Sequence, residues 1–171
     1  MTTKRPVALV TGASAGIGAA YARRLAAQGY DLLLVARRVG RLEELAAELT
    51  SRHGVRAEPL PADLTKDADL KAVEERIARG EHLEFLLNNA AFGGSGRFYE
   101  SPVEIQDTMH RLHVMATLRL SHAALRKMTA RGKGAVVNVS RWRRSSAGRA
   151  TPATTPPRRG STVSPKGSTW N

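Results

Sequence analysis

The sequence contains no cysteine. This excludes disulfide scaffolds, thiolate zinc sites and thiol catalysis. No apolar run approaches the roughly 20 residues of a membrane span. The opening Met1-Thr2-Thr3-Lys4-Arg5-Pro6 leads through a short apolar stretch into a Gly-rich loop, which is not the pattern of a signal peptide. We therefore expect a cytoplasmic protein without membrane partners. From residue 141 onward there is no acidic residue and no Leu, Ile, Met, Phe or Tyr. Such a segment cannot bury enough apolar surface to offset its ordering entropy, so residues 141–171 are expected to be a disordered, basic tail rich in Ser, Thr and Pro.

What is present is 171 residues, enough for one domain with a sizeable core. The formal net charge of +12 suggests a nucleic-acid partner at first sight. Its distribution argues otherwise. Residues 1–140 hold 20 basic and 15 acidic residues, while seven arginines and lysines lie in the last 31 residues. The body carries only +5, and no nucleic-acid partner is expected for it.

Within residues 1–140, short apolar runs alternate with stretches of helical spacing. The runs are Val7 to Val10, Leu32 to Ala36, Val55 to Leu60, Leu83 to Asn88 and Gly134 to Ser140. Between them, Gly16–Gln28, Arg41–Leu49, Asp69–Ala78 and a long stretch from Val103 to Ala130 read as helices. Strands alternating with helices predict an α/β fold, a Rossmann-type doubly wound parallel sheet.

The first strand runs into Thr11-Gly12-Ala13-Ser14-Ala15-Gly16-Ile17-Gly18. Glycines there allow a tight turn and close approach of a pyrophosphate, and the following helix offers it free N–H groups. With this loop at the start of the chain, Asn88-Asn89-Ala90 after strand four, Ala62-Asp63-Leu64 after strand three and Asn138-Val139-Ser140 on strand five, the sequence resembles the short-chain dehydrogenase/reductase family. The resemblance covers residues 5–140, about the N-terminal half of a family member. It implies five of the family's seven strands, and a dinucleotide held by Gly12, Ser14, Gly16, Ile17, Gly18, Asp63, Asn89 and Ala90. It also implies subunit pairing through the long helix.

Cofactor choice is expected to follow the residues after strand two. An acid there binds the ribose 2′-OH of NAD, and an arginine pairs with the 2′-phosphate of NADP. The strand ends Ala36-Arg37-Arg38, so NADP is expected over NAD, with Arg37 and Ser14 at the phosphate.

The family's chemistry is hydride transfer between the cofactor and a small carbonyl or alcohol, with Asn, Ser, Tyr and Lys as its working residues. Here His113 stands at the Asn position and Arg141 at the Ser position, and no Tyr follows Tyr99. By resemblance the chain is an NADP-dependent oxidoreductase with no complete catalytic set, and little or no turnover is expected. A non-catalytic dinucleotide-binding module and a nucleic-acid or membrane-surface binder using the tail are the alternatives. His110 and His113 lie one helical turn apart without an evident third ligand, so no metal site is expected.

The break after Ser140 carries a further expectation. Read with one nucleotide inserted after the Ser140 codon, the tail can give Asn-Val-Ser-Ser followed later by Tyr-Ser-Ala-Ser-Lys, restoring the family's Ser and Tyr-x-x-x-Lys. A one-base deletion in the gene or its reading accounts for both the position of the break and the loss of large aliphatics beyond it.

Overall fold

The structure is a computed structural model that describes residues 5–94 and 97–140. The expected disorder of the tail and the place of Arg141 lie outside the described residues. Five strands form one parallel sheet: β1 (Val7–Thr11), β2 (Asp31–Ala36), β3 (Ala57–Pro61), β4 (Leu83–Asn88) and β5 (Ala135–Asn138), in the order β3-β2-β1-β4-β5. The helices are α1 (Gly16–Ala27), α2 (Val39–His53), α3 (Asp67–Arg79), α4 (Val103–His110) and α5 (Thr117–Ala130). This is the doubly wound topology expected from the alternation of runs.

The strands read as unbroken apolar runs because both faces are covered. On β1 and β2, Ala8, Val10, Leu32 and Leu34 point to one side and pack with Ala22, Leu25, Leu42 and Leu49 of α1 and α2. Leu9, Leu33 and Val35 point to the other, against Leu70, Val73 and Ile77 of α3 and Leu120 and Ala124 of α5. Side chains alternate with period two, so one strand feeds two cores.

β3 begins at Ala57, two residues later than its apolar run suggests, and contains Pro59 and Pro61. Proline donates no ladder hydrogen bond. Two prolines spaced by two put both missing N–H groups on the same side, and β3 is an edge strand with only β2 as neighbour.

The stretch expected as one helix from Val103 to Ala130 is helical throughout, but Arg111–Ala116 is a π-helical segment joining α4 to α5. The widened turn is invisible to apolar spacing, because Leu112, Ala116 and Leu120 follow one another at intervals an ordinary α-helix also allows. β5 is shorter than its run and pairs only with β4, leaving its outer edge open among the described residues. Among the described residues, no helix is long and apolar enough to cross a membrane.

Candidate dinucleotide-binding site

Strand order reverses at β1, with β2 and β3 on one side and β4 and β5 on the other. At the carboxyl end of such a sheet the connections diverge and leave a crevice. Here it is a cleft of about 330 Å³ lined by the turn after β1, the ends of β2 and β3 and the segment after β4.

Thr11 holds the two sides of this crevice together. Its buried hydroxyl donates to the Leu87 carbonyl at 3.2 Å and accepts the N–H groups of Asn89 at 2.9 Å and Ala90 at 3.0 Å. Asn89 answers through its side-chain amide, which donates to the Thr11 carbonyl at 3.1 Å and the Gly12 carbonyl at 3.4 Å. This packing leaves no room for a side chain at Gly18. A Cβ there would lie 2.3 Å from the Gly12 carbonyl oxygen and 2.7 Å from the Asn89 amide nitrogen. Gly16 is constrained differently. Its φ is +55°, and a Cβ would meet nothing within 4 Å, so backbone conformation rather than crowding favours glycine there. Ile17 is exposed at the rim.

The cationic end of the cleft is formed by Arg37 and Arg38, with Ser14 facing them. The sequence pointed to Arg37 alone. Arg38, the N-cap residue of α2, is the one whose guanidinium donates to the Ser14 hydroxyl, at 3.0 Å. Asp63 lies across the cleft. Burial pushes its carboxyl up, but the Thr65 hydroxyl at 2.8 Å, the Thr65 N–H at 3.1 Å and the Arg37 and Lys66 charges outweigh that and hold it below its usual range. Its carboxylate oxygen Oδ1 is thus fixed by Thr65 at the β3–α3 connection.

Asp31, the acid nearest in sequence to the end of β2, opens that strand at the far end of the sheet, where its carboxylate accepts the Arg56 N–H at 2.9 Å. A larger cavity of about 570 Å³ sits at that end. Its charges are engaged with one another, Arg76 with Glu58 at 2.7 Å and Arg56 with Asp31 at 3.6 Å. It lacks the glycine-rich turn after β1 and the arginines Arg37 and Arg38 that mark the smaller cleft.

His113 falls in the π segment, half-buried, and its Nε2 accepts the Phe92 N–H at 3.2 Å. Leu112 and Phe92 line the cleft beside it. Asn88, at the end of β4, donates to Asn138 Oδ1 at 2.8 Å and to the Ser121 hydroxyl at 3.0 Å, tying β5 and α5 to the floor of the crevice. Among the described residues, no group of three or more His, Asp or Glu is placed to hold a metal ion.

Comparison with known proteins finds the same fold elsewhere. The family model described as short chain dehydrogenase matches residues 6–156. A short-chain dehydrogenase from Sphingobium yanoikuyae, solved in complex with NADPH, is 45% identical with a TM-score of 0.76, over 78% of this chain and 52% of that one. The bulky-bulky ketone specific alcohol dehydrogenase from Comamonas testosteroni is 40% identical with a TM-score of 0.77, over 80% of this chain and 55% of that one. A very-long-chain 3-oxoacyl-CoA reductase from Pyrenophora tritici-repentis is 36% identical over 139 residues, 78% of this chain and 40% of the relative. The chain spans about half the length of these relatives.

Proposed function

The chain belongs to the short-chain dehydrogenase family, and from that premise we propose that residues 5–140 form the cofactor half of an oxidoreductase site that takes NADP(H) in preference to NAD(H). The observation that carries this is that the glycine-rich turn after β1, with its Ser14, shares one cleft with Arg37 and Arg38, with no acid directly after β2.

The residues fit the cofactor. The glycine-rich turn and the start of α1 suit a pyrophosphate, where unpaired N–H groups meet the positive end of the helix dipole. Arg37 and Arg38 suit the 2′-phosphate, and the Arg38–Ser14 bond holds one guanidinium ready for it. Asp63 suits the adenine, and Asn89 and Ala90 bound the cleft on the β4 side. NADP(H), when bound, supplies or accepts a hydride. A carbonyl or alcohol partner is the substrate class that the family implies, and the relatives include a ketone-specific alcohol dehydrogenase and a 3-oxoacyl-CoA reductase. Within these 171 residues no Tyr follows Tyr99 and Arg141 stands at the family's Ser position, so this chain is expected to bind cofactor with little or no turnover.

The test is a fluorescence titration of the full chain with NADPH and with NADH, alongside a search for NADPH oxidation with ketone substrates. Tighter binding of NADPH without turnover is the expected result. Equal affinity for the two nucleotides overturns the assignment of the arginines. Sustained turnover would overturn the reading of the chain as a binding module.

A further inference from the structure

The segment after β4 must hold its shape for the cleft to have a wall, yet its sequence does nothing to stiffen it. It runs Ala91-Phe92-Gly93-Gly94, and two adjacent glycines give a backbone little intrinsic preference. Its start is fixed where Thr11 takes the Asn89 and Ala90 N–H groups. Beyond that point, among the described residues, a single hydrogen bond joins residues 91–94 to the rest of the protein, the Phe92 N–H to His113 Nε2 at 3.2 Å. The two rings also meet, with centroids 5.9 Å apart and planes tilted at 55°. His113 reaches this place from the π segment, a local widening of the helix.

We propose that His113 is a positioning residue for the nucleotide cleft: its Nε2 lone pair latches the Phe92 backbone, and the latch holds Ala91 and Phe92 as the wall opposite Arg37 and Arg38. This deepens the NADP(H) reading and rests on it. An imidazole that accepts at Nε2 carries its proton on Nδ1, so the neutral Nδ1–H tautomer is the latching form. The nitrogen at the position of the family's working Asn is thereby used for the loop.

The experiment compares His113→Phe with His113→Gln in the full chain. Phe keeps a ring against Phe92 and removes the acceptor, whereas Gln places a carbonyl oxygen at about the reach of Nε2. Hydrogen exchange at the Phe92 amide without nucleotide reads the latch, and NADPH affinity reads its consequence for the cleft. Loss of one such bond is expected to speed Phe92 exchange about fivefold or more in His113→Phe and to weaken NADPH by a similar factor, with both restored in His113→Gln. Unchanged Phe92 exchange in His113→Phe overturns the latch. Faster exchange with unchanged NADPH affinity overturns its role in the cleft, and equal losses in both variants mark a merely structural residue. A parent chain that binds no NADPH defeats the nucleotide reading, while the amide still decides the latch.

Discussion

Glu84 is a carboxylate on an otherwise apolar β4, nearly buried, with Lys133 Nζ at 2.8 Å and Arg131 at 3.0 Å. The bond from Lys133, with help from Arg131, holds its carboxyl below the usual range. A carboxyl that titrates lower in the folded state stabilises it fully above the unfolded value of roughly 4.3, and that contribution is lost as pH falls through the folded value. Denaturant melts of Glu84→Gln should show a loss of about 1–2 kcal/mol at pH 7 that shrinks as pH falls below the unfolded value and through the lowered folded one. The glycines of the turn separate in the same kind of experiment. Gly18→Ala forces a Cβ onto the Gly12 carbonyl and should cost about 2–3 kcal/mol or prevent folding. Gly16→Ala meets open space and pays only for its positive φ, about 1 kcal/mol. At the cationic end, Arg38→Ala and Arg37→Ala should each weaken NADPH roughly tenfold while leaving NADH unchanged in a fluorescence titration. The turn, Asp63 and Asn89-Ala90 were legible in the sequence because their spacing sits within single connections. Thr11 as a hub, Arg38 as the Ser14 partner and His113 as a latch were not, because their partners lie 78, 24 and 21 residues away.

Among the elements, the central strands were legible because burial on both faces writes an unbroken apolar run. The π segment was not, since hydrogen-bond pattern rather than apolar spacing defines it. The helix that contains it has two unlike faces. Leu120, Ala124 and Met128 are buried against the sheet, whereas Val114, Met115, Leu118 and Leu125 are exposed, Leu118 by 60%. Leu120→Ala should therefore cost about 2–5 kcal/mol in a chemical melt. Leu118→Lys should leave the melt within about 0.5 kcal/mol of the parent and raise solubility. The sheet is uneven in a matching way. Phe85 and Val137 are only half-buried on the side that α1 and α2 cover over β1 and β2.

For the whole molecule, the charge divides as the residue order divides. The described body holds a modest positive excess, and seven of the basic residues lie at 141–171. Retention on an anionic resin should fall sharply when 141–171 is removed, with NADPH affinity unchanged, because the arginines that face the cleft belong to the body. Sequencing through the Ser140 codon tests the one-base deletion: absence of Tyr-x-x-x-Lys from the neighbouring frame ends that proposal. The open edge of β5 has a consequence in time as well as in space. If the matching half of a longer relative forms such a sheet while it is being made, its last strand would face nothing until the remainder is delivered. At about 5–20 residues per second, the ribosome takes on the order of ten seconds to deliver the remainder. During that interval an unpaired strand would favour aggregation and the proposed nucleotide binding would favour the folded sheet, so nucleotide supply becomes a candidate influence on how much of the protein survives its own synthesis.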